Sequence, residues 1–234
     1  MRVAILFSGG KDSTYAVEYA LSRGWDIAYL LSVKPTRKDC YLFHYATVEH
    51  TKEQAKILGL KHILVKCNVA DPKKEANIVK EVVEKNMVDA VILGGVGLQI
   101  TQLKSIQDAL LPLGVEVFAA HAGLDHDKIM EEMLEKGYRF IITQVASDGL
   151  INWLGREITR ENFEWLKRDA FNYGFHIGFE GGYADTFVLD GPIFKKQIEV
   201  MASEKIVENG YCGHIVFNKL KLIDKAKKQT FSLG

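Results

Sequence analysis

The segment Ser8-Gly9-Gly10-Lys11-Asp12-Ser13 contains the residue types that bind a phosphate group. Two adjacent glycines tolerate positive φ and let the backbone approach an anion closely, so successive N–H groups can form a concave site. Ser8 and Ser13 add hydroxyl donors and Lys11 adds a cation. An apolar run precedes the segment and a helical pattern follows it, so a helix N-terminus contributes its unpaired amides and positive dipole end. The sequence therefore predicts a phosphate-binding loop over residues 8–13.

The spacing of this loop differs from that of two common nucleotide-binding motifs. The distance from glycine to lysine is too short for GxxxxGK[ST], and GxGxxG is absent. The alternative is a plain turn from a strand into a helix that is capped by Asp12 or Ser13. Such a turn requires neither the serines nor Lys11, so the phosphate-binding interpretation is favoured.

The helix end alone does not account for catalysis at this loop. A helix terminus stabilises an anion by about 0.3–1 kcal/mol, or up to about 2 when it is partly buried. Enzymes typically lower a barrier by about 8 kcal/mol or more. In a reaction at phosphorus, Mg²⁺ that bridges phosphate oxygens usually supplies charge neutralisation. Asp12 is predicted to be a catalytic residue and the metal ligand, with helix capping as its alternative. Lys11 is expected to be a catalytic residue on an exposed loop.

Short apolar runs alternate with segments of helical period up to about residue 149, which is typical of parallel βαβ units. The runs are continuous, as in strands that are covered on both faces, and they lie at residues 3–7, 27–33, 62–66, 90–93, 115–119 and 140–145. We predict an α/β fold with a doubly wound parallel sheet over residues 1–149. Gly94-Gly95 follow the fourth run, at the edge where such sheets bind ligands. They could let a nucleotide lie close to the backbone, or they could form an ordinary turn.

The pattern changes near residue 149. Residues 161–168 have a helical pattern that Thr159 could cap, and a glycine-punctuated segment follows over residues 174–192. Two β-rich segments then flank the turn signal Asn209-Gly210. We expect residues 150–234 to form a smaller α+β domain that closes over the carboxyl ends of the strands.

Composition excludes several classes of function. Thirty Lys and Arg balance thirty Asp and Glu, so no overall field would attract nucleic acid or a membrane surface. Cys40, Cys67 and Cys212 are few and widely spaced, which argues against a disulfide framework or a structural zinc site. No run of about 18 apolar residues and no signal-like leader is found. We expect a cytoplasmic protein with neither a membrane nor a nucleic acid as partner.

Four stretches together resemble one enzyme family. SGGKDS between a strand and a helix is similar to the PP-loop of the N-type ATP pyrophosphatases, which split ATP between its α and β phosphates. Phe43-His44 with the segment 47–59, and WLGR at 153–156, resemble stretches of the diphthine ammonia ligase family. EGGYADTFVLDGP at 180–192 resembles a further signature of that family. This last stretch discriminates, because other PP-loop families do not carry it.

The chain departs from the family pattern at three places. Tyr183 stands where an acidic residue is usual, and Asp185 stands where Glu is commoner. Ala119-Ala120-His121 follows the fifth strand, where the family often has Pro-Leu-Trp. These departures concern substrate contacts more than the class of reaction.

The resemblance implies a HUP-type fold, similar to the adenine nucleotide α-hydrolases, and a ligase reaction. ATP would activate the carboxylate of diphthine, a modified histidine on elongation factor 2, as an acyl-adenylate with release of pyrophosphate. Ammonia would then displace AMP and give diphthamide. The implied ATP site consists of residues 8–13 with Gly94 and Gly95, and the implied substrate site consists of His44, Glu180, Gly181, Gly182, Asp185 and Thr186. No glutaminase-like Cys/His arrangement is found, so free ammonium is the expected nitrogen source.

Other interpretations of these residues remain. Glu180-Gly181-Gly182 with Asp185 could be a glycine turn with solvated carboxylates, and His44 could be a packing or capping residue. A PP-loop enzyme that modifies tRNA and a nucleotide-binding sensor without turnover are the alternative functions. The sequence is compatible with a homo-oligomer.

Overall fold

In a computed structural model, residues 1–37, 42–43, 47–95 and 100–225 are described. The first half of the chain builds a parallel sheet of five strands in the order β3-β2-β1-β4-β5. Its strands are β1 (Arg2–Leu6), β2 (Asp26–Pro35), β3 (His62–Cys67), β4 (Ala90–Leu93) and β5 (Glu116–Ala119). The predicted α/β class with a parallel, doubly wound sheet is confirmed.

Five helices accompany these strands, and their ends follow local rules. They are α1 (Lys11–Ser22), α2 (Thr51–Leu58), α3 (Pro72–Lys85), α4 (Ile100–Leu110) and α5 (His126–Glu135). Asp71 caps α3 because its side chain accepts from the N–H of Lys74, and Pro72 occupies the first turn, where its missing N–H costs nothing. The sequence pattern did not predict α4, whose buried residues are only Ile106 and Leu110.

The second sheet is antiparallel and has β6 (Arg139–Ala146) at its centre. Along one edge β6 pairs with β8 (Ala184–Asp190). Along its other edge it pairs first with β7 (Glu157–Ile158) and then with β10 (Cys212–Asp224). Strand β10 in turn pairs with β9 (Lys196–Val207). Helix α6 (Arg160–Tyr173) precedes β8 and begins with a capping box of Thr159 and Asn162. The predicted cap by Thr159 and the predicted β-rich pair around Asn209-Gly210 are confirmed.

The sequence prediction for residues 140–145 was wrong in one respect. This run was expected to extend the parallel sheet, but as β6 it lies in the antiparallel one. A short apolar run indicates a buried strand but does not reveal which strands it pairs with. Strand β8 was also not predicted, because residues 174–192 have many glycines. The proposed division of the chain at residue 149 stays a prediction.

One continuous core joins the two sheets. It contains Ile5 and Phe7 from the first strand region, Val17 from α1, and Phe140 and Phe187 from the second sheet. A separate core on the opposite face packs helices α3 and α4 against the parallel sheet, with Val79 and Ile106 fully buried. Helices α1, α2 and α5 contribute to the same core as the second sheet, with α1 in contact with β8 and α2 in contact with β9. Strand β8 also reaches the loop that follows β1. None of the helices within the described ranges combines the length and apolar character needed to cross a bilayer.

Candidate active site

A cleft opens at the carboxyl end of the parallel sheet. It lies where β1 and β4 are neighbours, since the chain leaves β1 towards β2 on one side and later crosses to β4 on the other. The strand order reverses at this point, and open α/β sheets bind ligands there. Residues from both sheets line the cleft, among them Ser8, Lys11, Asp12, Gly95, Glu180 and Asp185.

The loop after β1 has the composition of a phosphate site, and three of its amides are paired with hydroxyl groups. The N–H of Gly9 donates to Ser13 Oγ at 3.1 Å, and that of Gly10 donates to Ser8 Oγ at 3.4 Å. The N–H of Lys11 donates to Thr186 Oγ1 at 3.0 Å. A phosphate group that binds these amides must therefore replace hydroxyl oxygens as their acceptors.

Strand β8 holds this loop through backbone contacts as well. The carbonyl of Gly9 accepts from the N–H of Val188 at 2.9 Å and from Gln54 Nε2 at 2.8 Å. Gln54 Nε2 also donates to the carbonyl of Val188 at 2.8 Å, so one amide group joins the two segments. Gly9 has φ of +82° and Gln54 Oε1 lies 2.4 Å from where a Cβ would be. Only glycine fits there, because a side chain would be both strained and crowded.

Lys11 and Asp12 form an ion pair at the wall of the cleft. Lys11 Nζ lies 2.7 Å from both carboxylate oxygens of Asp12. The expectation of an exposed Lys11 was wrong, because the residue is only 2% exposed. Burial opposes the charge of Asp12, but the ammonium group of Lys11 and the ring of His121 outweigh it and hold the pKa of Asp12 well below its ordinary value. Asp12 is therefore a carboxylate at neutral pH.

Asp12 fits the predicted role of a magnesium ligand in a limited sense. No group of three or more His, Cys, Asp or Glu side chains in the described part of the chain could hold a metal by itself. Mg²⁺ seldom needs such a group, since it usually binds one or two carboxylates together with substrate phosphates and waters. An ionised carboxylate has about four lone-pair positions, and Lys11 occupies one on each oxygen. The chemistry of Asp12 thus agrees with a shared site that phosphate oxygens complete.

Gly94 and Gly95 allow two close approaches. A Cβ at Gly94 would lie 2.5 Å from backbone atoms of Asp12 and Ser13, so this glycine lets the first turn of α1 pack on the end of β4. A Cβ at Gly95 would lie 2.2 Å from Glu180 Oε1. In this structure the space beside each glycine is thus taken by protein atoms, and nucleotide contact by these residues stays a prediction.

The segment after α6 brings Glu180 into the cleft wall. Phe179 has φ of +61°, an unusual conformation for a residue with a side chain, and Gly181 and Gly182 follow it with positive φ. Glu180 is only 3% exposed, so the alternative of a glycine turn with solvated carboxylates does not describe it. Asp185 and Thr186 lie on β8 and also line the cleft, whereas Gly181 and Gly182 do not. His44 and Cys40 lie outside the described residues.

Three histidines that were not predicted to be site residues lie behind Lys11 and Asp12. His121 Nδ1 is 3.3 Å from Asp12 Oδ1, and its buried ring packs against Tyr15 with ring centres 4.2 Å apart. The rings of His126 and His176 are 5.1 Å apart. His121 follows β5, His126 begins α5 and His176 follows α6. Of these three histidines, the sequence drew attention only to His121, which stands at a departure from the family pattern.

Comparison with known proteins identifies the family. Models of the diphthamide synthase N-terminal and C-terminal domains match residues 1–115 and 125–223. The chain belongs to the diphthamide synthase family. This confirms the resemblance that the PP-loop and the EGG stretch indicated.

Curated relatives of this diphthamide synthase family member are similar over nearly its whole length. A diphthine--ammonia ligase of Danio rerio is 29% identical over 258 residues, which cover 98% of this chain and 100% of the relative. The diphthine--ammonia ligase of Homo sapiens is 27% identical over 252 residues, which cover 96% and 94% of the two chains. That of Schizosaccharomyces pombe is 25% identical, and the match covers 100% of this chain but 41% of the yeast protein.

Proposed function

We propose that this protein is a diphthine--ammonia ligase, an ATP-dependent ligase that releases AMP and pyrophosphate. It adenylates the carboxylate of diphthine on elongation factor 2, and ammonia then displaces AMP to give diphthamide. The observation that carries the proposal is the junction of two signatures in one cleft. The N–H of Lys11, in the PP-loop, donates to Thr186, in the EGG stretch that distinguishes this family from other PP-loop proteins.

The PP-loop side of the cleft suits the leaving pyrophosphate. Lys11 supplies a cation, the helix α1 supplies its N-terminal dipole, and Ser8 and Ser13 supply hydroxyl donors. Mg²⁺ held by Asp12 and phosphate oxygens would neutralise further charge on the leaving group. Electrostatic stabilisation of this kind and correct positioning are the main contributions that an enzyme makes to such a reaction.

The second sheet supplies the side of the cleft where the acyl group would lie. Glu180 and Asp185 line it with carboxylate groups, and diphthine carries a cationic trimethylammonium group that favours such surroundings. The cover that this sheet gives also keeps water from the acyl-adenylate, which water would otherwise hydrolyse. We propose ammonium as the nitrogen source and the cytoplasm as the location, without a membrane or nucleic acid partner.

A direct assay tests this function. The protein is incubated with ATP, Mg²⁺, ammonium and elongation factor 2 that bears diphthine, with elongation factor 2 that lacks the modification as the control. Equal amounts of AMP and diphthamide are expected, by nucleotide chromatography and mass spectrometry. Formation of ADP in place of AMP contradicts the mechanism. Steep, salt-dependent binding of tRNA would favour the tRNA-modifying alternative instead.

A further inference from the structure

Glu180, His126 and His176 form a group of titratable side chains at the back of the cleft wall. Glu180 Oε1 lies 3.7 Å from His126 Nδ1, and the rings of His126 and His176 have centres 5.1 Å apart. Glu180 lines the cleft. His126 begins helix α5 and His176 follows helix α6, so three separate segments meet here.

Gly178 keeps His126 close to the cleft. A Cβ at Gly178 would lie 2.8 Å from His126 Cβ and 3.0 Å from Nδ1, so this glycine, which lines the cleft, lets its backbone pack closely on His126. The side chain of Glu180 is 3% exposed and that of His126 is 14% exposed. His176 is likewise partly exposed. The group thus extends from a buried carboxylate in the cleft wall to two partly exposed imidazoles.

The proposed reaction requires a proton acceptor at such a place. Ammonium has no lone pair with which to attack an acyl-adenylate, so it must lose a proton first. A buried carboxylate attracts the ammonium cation, and a neutral imidazole can receive the proton. Ammonium that loses a proton inside the cleft becomes neutral ammonia, which is then in position for attack.

We propose that Glu180 binds ammonium in the cleft and passes one of its protons to His126, an inference that rests on the proposed ligase function. One N–H bond of ammonium breaks and its proton moves through the Glu180 carboxylate to His126 Nδ1. The freed lone pair forms the C–N bond at the acyl carbon, and the bond from that carbon to the phosphate oxygen breaks. AMP leaves with the electron pair, and the second proton lost from the nitrogen passes to water.

The charges around His126 are consistent with this role. Burial lowers the pKa of His126, and Lys11, His176 and His121 lower it further, while Asp12 acts in the opposite direction. Burial and Lys11 also lower the pKa of His176, again against Asp12. Both imidazoles are therefore neutral at neutral pH and able to accept a proton. The carboxylate of Glu180 lies within ion-pair distance of His126 Nδ1, at 3.7 Å.

The test separates adenylation from attack by the nitrogen nucleophile. ATP–pyrophosphate exchange in the presence of diphthine-bearing elongation factor 2 reports the first step and needs no ammonium. Ammonium and hydroxylamine are then compared as nucleophiles, because hydroxylamine is a weaker base and is largely neutral at pH 7. The variants are Glu180→Gln and His126→Asn. His214→Asn is the control, since His214, on β10, lies 3.8 Å from Glu208 in a similar His–Glu pair.

We expect both site variants to lose about 100-fold in the ammonium reaction relative to the hydroxylamine reaction, the scale of general base catalysis. Glu180→Gln also raises the KM for ammonium, and the His214→Asn ratio matches that of the wild type. At a fixed total ammonium concentration, the rate of His126→Asn should follow the concentration of free ammonia and so rise about tenfold per pH unit. The wild-type rate should instead level off near neutral pH. Because each variant is judged by a ratio, loss of folded protein does not imitate the result.

Equal losses with both nucleophiles, or an unchanged pH profile, would overturn the inference and leave the ligase function intact. Absence of exchange in the wild-type protein would instead overturn the proposed function, and this inference with it. The two failures are therefore distinguishable.

Discussion

The hydroxyl group of Thr186 accepts a hydrogen bond at 3.0 Å from the backbone N–H of Lys11, a residue 175 positions earlier in the chain. The close fit continues at Gly10, where a Cβ would lie 2.9 Å from the carbonyl oxygen of Thr186. The phosphate loop is thus held by the second sheet as much as by its own strand and helix. A change in β8 should therefore affect this loop, where the nucleotide is predicted to bind.

Thr186→Val should destabilise the protein without nucleotide by about 1–3 kcal/mol, because the buried N–H of Lys11 loses its acceptor. Thr143→Val is the matched control, since Thr143 is fully buried and its hydroxyl has no hydrogen-bond partner in the described ranges. ATP should reduce the loss caused by Thr186→Val if a phosphate oxygen takes the place of the hydroxyl. Urea unfolding with and without ATP measures both effects, and an identical loss in the two conditions would contradict this exchange.

Lys11→Met should reduce both stability and activity. Removing one partner of a buried ion pair costs about 3–5 kcal/mol, and we expect the lower end because the Asp12 side chain is 27% exposed. The double variant Lys11→Met, Asp12→Asn should recover part of the stability, since no carboxylate is left unpaired, but none of the ATP–pyrophosphate exchange. A double variant that is no more stable than the single one would disprove the pairing argument.

The low pKa of Asp12 predicts a specific acid sensitivity. A carboxyl group whose folded-state pKa is depressed contributes stability above its unfolded pKa, 3.8 for Asp12, and loses that contribution as the pH falls towards the lower folded value. The unfolding free energy of the wild type should therefore decrease as the pH is lowered beyond about 4. Asp12→Asn should show a smaller decrease over the same pH range. Asp108→Asn, at an exposed pair with Lys104, should behave as the wild type does. Equal slopes for all three would refute the assignment.

Gly94→Ala should displace the start of α1, because the new Cβ would lie 2.5 Å from backbone atoms of Asp12 and Ser13. Overpacking of this kind typically costs about 1–3 kcal/mol, and the affinity for ATP should fall as well. Gly210→Ala is the control, since nothing lies within 4 Å of a Cβ at that position. Calorimetric titration with ATP and thermal unfolding would measure the two effects. ATP binding as tight as in the control would show that the approach of α1 to β4 does not shape the site.

Local patterns were sufficient for much of this molecule. The PP-loop could be recognised because its glycines, serines and lysine are contiguous, and Thr159 could be recognised as a cap because capping involves neighbouring residues. The pattern failed for α4, where only Ile106 and Leu110 are buried, and for β8, where a glycine-rich approach concealed the strand. It also placed β6 in the wrong sheet, since a short apolar run indicates a buried strand but not which strands it pairs with.

The sequence by itself determined the class of the fold and the family and predicted the phosphate loop, because each depends on patterns of residues close together in the chain. Tertiary structure decided that Thr186 reaches Lys11, that Lys11 is buried against Asp12, and that His126 lies beside Glu180. Those contacts arise where two sheets pack around one core, and residue periodicity encodes which face of an element is buried but not which element it meets.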